Sequence, residues 1–117
     1  MKKVYYLKTC DTCKRIMQSL KLTPDFELQD IKSEEITVKQ LEQMKALAGS
    51  YEVLFSKRAK LYKEMGLKDV NLQEEDYKKY ILDHYTFLKR PVIIFEDSIY
   101  IGNSKKTIEQ AIETINK

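Results

Sequence analysis

The chain lacks the features that several large classes of protein require. None of its apolar runs approaches the roughly 20 residues that a membrane-spanning helix needs. The opening residues, MKKVYY, show no leader with a cleavage site, so we expect a cytoplasmic protein without membrane association. There are no repeats and no low-complexity segments. A length of 117 residues, of which 43% are hydrophobic and 33% charged, is typical of a single folded domain, residues 1–117.

The chain also has no large excess of positive or negative charge. The net charge is only +3, and lysine and glutamate are interspersed, so direct binding of nucleic acid is not indicated. Arginine is also rare: of the 21 basic residues only Arg15, Arg58 and Arg90 are arginines. A planar guanidinium group binds oxyanions and carboxylates in a forked geometry that lysine does not match. Each arginine is therefore either a candidate anion ligand or an ordinary solvated side chain.

Cysteine and histidine are too few for a structural metal site. Such a zinc site needs four protein ligands, usually Cys and His, and the chain has two cysteines and one histidine. We therefore expect no bound metal and no bound cofactor. His84 lies in a helical pattern and is interpreted as an ordinary helix residue. In a reducing compartment, two cysteines at CxxC spacing are rarely a permanent cross-link and more often redox-active or metal-bound.

The pattern of apolar residues predicts an α/β protein. Strands are predicted at 3–7, 26–31, 91–95 and 99–101, the last two as an antiparallel hairpin. Between the second and third strands, helical segments are predicted from Thr37 to Gly49, from Ser50 to Gly66 and from Asn71 through His84. Helices also follow the first strand and Ser104. The order β-α-β, helical insertion at about 34–85, β-β-α predicts a four-stranded mixed sheet whose first two strands are parallel.

Both cysteines lie where the first strand passes into the first helix. Backbone N–H groups and the positive end of the helix dipole gather at such a point, and both favour a thiolate. Lys8, Lys14 and Arg15 add nearby positive charge. We therefore predict that Cys10 is an acidic, nucleophilic thiol. Cys13 lies one helical turn later on the apolar face and is predicted to be the less exposed, resolving thiol.

A second motif, LKRPVIIF, opens the third strand with a proline. Proline is tolerated at the first residue of a strand, and a cis bond before Pro91 becomes plausible there. In the predicted sheet, the start of this strand faces the beginning of the first helix. This arrangement would bring Arg90 near Cys10; the alternative is an edge proline beside a solvent-facing arginine.

Three stretches resemble the arsenate reductase (ArsC)/Spx family of thioredoxin-fold proteins, which is related to glutaredoxin-like domains. They are YYLKTCDTCKR, LFSKRAKLYKEMG and FLKRPVIIFEDSIYIGNSKKTIEQAI. Together with the helical insertion, the resemblance covers nearly the whole chain. It implies a thioredoxin-like (glutaredoxin-like) fold.

The arsenate reductase branch implies an enzyme. There, a thiolate after the first strand attacks arsenate, arginines hold the oxyanion, and glutathione with glutaredoxin supplies electrons. Carried over by motif, Cys10 is the nucleophile and Cys13 the resolving thiol, while Arg58 and Arg90 bind the anion and Arg15 lies beside the CxxC as a third candidate. The expected substrate is a small oxyanion or a thiol compound, and the expected protein is a monomer.

The Spx branch implies a different function. In those proteins a CxxC at this position acts as a disulfide switch, and the protein binds the C-terminal domain of the α subunit of RNA polymerase without catalysis. The second cysteine of this chain is typical of that branch. The sequence favours the reductase slightly and leaves the regulator open.

Overall fold

The computed structural model describes residues 1–116, and the chain divides into two compact units. The first contains residues 1–35 and the chain from Arg90 onward; the second is Ile36–Lys89. No helix among the described residues is long and apolar enough to cross a membrane.

The first unit contains a four-stranded mixed sheet with helices. Its elements are β1 (Lys2–Tyr6), α1 (Asp11–Ser19), β2 (Glu27–Asp30), β3 (Val92–Phe95), β4 (Ser98–Ile101) and α5 (Lys105–Ile115). The strand order is β2-β1-β3-β4. β1 and β2 are parallel, with Tyr6 opposite Asp30, whereas β1–β3 and β3–β4 are antiparallel. The predicted α/β class and sheet are confirmed.

The core of the first unit forms where α1 and α5 pack on the sheet. Side chains at alternate strand positions and on one face of each helix meet there, as the periods of strand and helix require. α5 is held at its start by Ser104, whose hydroxyl accepts a hydrogen bond from the Thr107 N–H at 3.2 Å. The buried residues of this core are Val4, Ile16, Leu20, Phe26, Ile93 and Ala111.

The second unit is helical, with α2 (Val38–Ala48), α3 (Lys60–Glu64) and α4 (Glu74–Asp83). α2 begins and ends as predicted. Thr37 and Gln40 form a reciprocal capping box, and Gly49 ends the helix in the left-handed conformation at φ 101°.

Two predictions within this unit are wrong. The segment predicted as one helix from Ser50 to Gly66 is a 3₁₀ turn at Glu52–Leu54, an extended bridge at Phe55 and the short helix α3. Phe55 pairs with Leu88, which a continuous helix would prevent. The last helix of the unit starts after Gln73 rather than at Asn71, and His84 follows it in an extended conformation.

Candidate active site

The turn between β1 and α1 carries Cys10. The Cys10 N–H donates to the Leu7 carbonyl at 3.0 Å, which closes the turn, and the Cys10 carbonyl accepts the first helical hydrogen bond from the Lys14 N–H at 3.2 Å. Cys10 is thus the N-cap residue of α1, with extended backbone angles. Its side chain lies at the end of the helix where N–H groups have no helical partner. Cys10 is partly exposed, whereas Cys13 is completely buried, and both are free thiols.

The pKa of Cys10 is lowered. Partial burial acts in the opposite direction, because desolvation favours the neutral thiol, and it is the largest single influence. It is outweighed by backbone hydrogen bonding from Cys13 and Thr12, by a hydrogen bond from the Cys13 side chain and by the charge of Arg90. The three residues expected from the sequence to add positive charge near Cys10 are all exposed: Lys8, Lys14 and Arg15. The electrostatic contribution at Cys10 comes from Arg90.

The pKa of Cys13 is raised to about 11. Its burial is the main cause, and the hydrogen bond and negative charge of Cys10 add to it. The backbone of Leu7 and the charge of Arg90 oppose the rise. The two cysteines therefore differ in the way that a nucleophile and a protonated partner must differ: one is accessible and acidic, the other enclosed and neutral.

Arg90 and Pro91 lie immediately before β3. The Arg90–Pro91 peptide bond is cis, Pro91 is buried, and Arg90 is half-buried. The guanidinium of Arg90 lowers the pKa of both cysteines. Cys10, Cys13 and Arg90 all belong to the first unit, and the charge of Arg90 acts on both thiols.

The other two arginines are both exposed. Arg15 is exposed on α1, where it lines a shallow groove of about 410 Å³ together with Ser19, Asn103 and Glu109. Arg58 belongs to the second unit, in an exposed turn before α3. Their assignment as oxyanion ligands stays a prediction.

His84 belongs to no cluster of potential metal ligands within residues 1–116. It is exposed, and its ring contacts Phe87 edge-on with the centroids 5.7 Å apart. Among residues 1–116, no three His, Cys, Asp or Glu side chains are grouped closely enough to hold a metal ion.

Asp30 was not singled out by the sequence. Its carboxylate accepts a hydrogen bond from the backbone N–H of Lys8, at 3.2 Å, in the turn that carries Cys10. An aspartate at the end of a strand is a common turn residue, so its type alone carries no signal. Only the parallel register of β1 and β2, which sets Asp30 opposite Tyr6, indicates the contact.

Comparison with known proteins places this fold and site in a class. Solved structures with the same fold include an arsenate reductase from Vibrio cholerae, with a TM-score of 0.75, 17% identity and coverage of 96% of this chain and 97% of that one. An ArsC family related protein from Bacteroides fragilis has a TM-score of 0.77, 20% identity and coverage of 94% and 96%. The chain therefore has the thioredoxin-like fold of these proteins.

The family follows from the sequence itself. The sequence model of the ArsC family matches residues 5–111, which include both cysteines and the cis-proline segment. The chain belongs to the ArsC family. A curated relative, the global transcriptional regulator Spx 2 of Bacillus anthracis, is 25% identical over 110 residues, covering 92% of this chain and 83% of the relative.

Proposed function

We propose that the protein is a thiol-dependent oxidoreductase in which Cys10 is the nucleophile and Cys13 the resolving thiol. The observation that carries this proposal is the opposite displacement of two hydrogen-bonded thiols, with the pKa of Cys10 lowered and that of Cys13 raised to about 11. The more acidic and more exposed sulfur is suited to attack first, and the buried sulfur is suited to displace the adduct in the second step.

The proposed substrate is a small oxyanion such as arsenate. The Cys10 thiolate attacks arsenic and a water molecule, formed by protonation of one oxygen, leaves. The Cys13 sulfur then attacks the Cys10 sulfur, its proton passing to solvent, and the electron pair of the sulfur–arsenic bond leaves with arsenic as arsenite. Two thiols have become a disulfide, and these two electrons have reduced arsenic from the +5 to the +3 state.

The raised pKa of Cys13 is compatible with the second step. Burial is its main cause, but the charge on Cys10 contributes. Once the Cys10 sulfur is bound to arsenic, its own charge no longer opposes ionisation of Cys13. Arg90 opposes the rise throughout and is the proposed ligand of the oxyanion, with Arg58 and Arg15 as further candidates. No resident cofactor is involved; glutathione or glutaredoxin would restore the dithiol.

The test is arsenate-dependent NADPH oxidation with glutathione, glutathione reductase and glutaredoxin. The wild type should turn over, and Cys10→Ser should reduce the rate to background. Cys13→Ser should retain adduct formation but release arsenite only through external thiols. A wild-type rate equal to that of Cys10→Ser would remove the reductase assignment.

A second candidate function is a redox-switched regulator that binds RNA polymerase. It is supported by the likeness to a global transcriptional regulator and by the second cysteine, which allows a reversible internal disulfide. The test is whether the oxidised and the reduced protein bind the C-terminal domain of the α subunit of RNA polymerase. Binding in one redox state that becomes independent of redox state in Cys13→Ser would favour this function, and no binding in either state would exclude it.

A further inference from the structure

The turn that carries Cys10 is attached to β2 as well as to its own strand. Within the turn Leu7–Cys10, the Cys10 N–H bonds the Leu7 carbonyl at 3.0 Å. The hydrogen bond within the turn joins Cys10 to Leu7, so the N–H of the second turn residue, Lys8, can bond to a group outside the turn. The partner is the Asp30 carboxylate, whose Oδ1 accepts this hydrogen bond at 3.2 Å.

Asp30 is itself held firmly. Its Oδ1 accepts from the Lys32 N–H at 3.4 Å and its Oδ2 from the Ser33 hydroxyl at 3.0 Å. The Ile31 N–H donates to the Tyr6 carbonyl at 2.9 Å, which continues the β1–β2 pairing past Asp30. The pKa of Asp30 is lowered, first of all by the Lys8 N–H, so the carboxylate is ionised at neutral pH.

Both cysteines depend on where this turn lies. Cys10 is its last residue, and the backbone of Leu7, its first residue, interacts with the Cys13 thiol and lowers the pKa of that group. A small rotation of the turn would move the Cys10 sulfur away from the start of α1. The backbone hydrogen bonds from Thr12 and Cys13 would then weaken.

We propose that Asp30 is a positioning residue for the redox site, because its carboxylate fixes the Leu7–Cys10 turn through the Lys8 N–H and thereby holds the Cys10 sulfur at the N-terminus of α1. The inference rests on the proposed role of Cys10 as the acidic nucleophile. Asp30 touches neither substrate nor sulfur in this scheme; it acts through the backbone.

Asp30 could act on Cys10 through its position or through its negative charge, and the two possibilities predict opposite effects of removing the carboxylate. If Asp30 acted on Cys10 by its negative charge, removing that charge would favour the thiolate and speed the reaction of Cys10. If it acts by position, Asp30→Ala should slow the reaction, and Asp30→Asn should preserve it. The asparagine oxygen can still accept from Lys8, and its amide group can donate to Ser33.

The experiment is iodoacetamide alkylation of the full chain against pH, with the modification of Cys10 followed by peptide mass spectrometry. Asp30→Ala should raise the midpoint and slow the reaction at pH 7 by about threefold to tenfold, since one pKa unit is a tenfold change in thiolate. Asp30→Asn should stay within about twofold of the wild type. Asp25→Ala is the matched control, because Asp25 binds the Lys2 side chain at the opposite end of β1 and should leave the midpoint unchanged.

If Asp30→Ala does not fold, Asp30→Ser replaces it. The serine hydroxyl can still accept from Lys32 in the local turn but is too short to hold Lys8, so its midpoint should also rise. An unchanged midpoint in a folded Ala or Ser variant, or a lowered midpoint in both Ala and Asn, would overturn the inference. The wild-type midpoint by itself tests the proposed nucleophile, so the two failures are distinguishable.

Discussion

The thiol of Cys13 donates a hydrogen bond to the sulfur of Cys10 one helical turn earlier, and this contact moves the two pKa values apart. It lowers the pKa of Cys10 and raises that of Cys13. Cys13 is completely buried, whereas Cys10 is partly exposed. The two thiols therefore differ in acidity and exposure, as the proposed nucleophilic and resolving roles require.

Removing this donor should make Cys10 less acidic. Cys13→Ala should raise the alkylation midpoint of Cys10 by about one to two units, the scale of one hydrogen bond to a charged group. Cys13→Ser keeps a hydroxyl donor at the same position and should restore most of the difference. A midpoint in Cys13→Ala at or below that of the wild type would contradict the donor role.

Arg90 should act on acidity through its charge and on oxyanion binding through its shape. Arg90→Gln should raise the alkylation midpoint of Cys10, because the guanidinium charge lowers the pKa of both thiols. Arg90→Lys should keep the midpoint near that of the wild type but increase KM for the oxyanion, since an ammonium group lacks the forked donors. Lys14→Gln, which removes an exposed charge from α1, is the control and should change neither quantity.

If Arg90→Lys leaves KM unchanged while Arg90→Gln shifts the midpoint, Arg90 tunes the thiols but does not bind substrate. Steady-state kinetics at several oxyanion concentrations, together with the alkylation profile, distinguishes these outcomes.

Local sequence signals predicted the parts of this structure that depend on neighbouring residues. The Thr37–Gln40 capping box, the left-handed Gly49 and the β3–β4 hairpin each follow from a few adjacent side chains.

Features that depend on distant pairing were not predictable in the same way. The segment from Ser50 to Gly66 has the apolar spacing of one helix, but the Ser56 N–H donates to the Phe87 carbonyl at 2.7 Å and the Lys89 N–H to Leu54 at 2.9 Å. These bonds require extended backbone around Phe55, and its ring stacks on Phe87 with the centroids 5.0 Å apart. Helical periodicity contains no information about either contact.

The same limitation applies to the polar residues of β1. Lys3 is only 4% exposed and lies 3.5 Å from Glu27 and 5.0 Å from the Tyr5 ring. In sequence it looks like one of many surface lysines. Lys3 lies in a central strand of the sheet, and the parallel register sets it opposite Glu27.

The capping box gives a prediction about stability. Thr37 accepts from the Gln40 N–H at 3.1 Å, and the Gln40 side chain accepts from the Thr37 N–H at 3.1 Å. Thr37→Ala should lower the free energy of unfolding by about 1 kcal/mol, whereas Thr37→Ser should cost only a few tenths. Urea denaturation of the two variants checks this, and equal losses in both would indicate that the hydroxyl does not cap α2.

Tyr5 should make the protein sensitive to alkaline pH. Its side chain is buried, its hydroxyl has no hydrogen-bond partner among residues 1–116, and burial together with Glu27 and Glu34 raises its pKa to about 12. In the unfolded chain the group titrates near its ordinary value of 10.0. Between these two values the unfolded state loses its proton first, so stability is fully present below pH 10 and falls as the pH rises toward 12.

Tyr5→Phe removes both the titration and the buried hydroxyl. At pH 7 the variant should be as stable as the wild type or slightly more so, because no hydrogen bond is lost and the cost of burying the hydroxyl disappears. Between pH 10 and 12 its free energy of unfolding should decline less steeply than that of the wild type. Cys13, whose pKa is about 11, contributes the same decline to both proteins, so the difference between the two urea-denaturation series isolates Tyr5. Parallel declines, or a loss of stability at pH 7, would mean that the hydroxyl is hydrogen-bonded in solution.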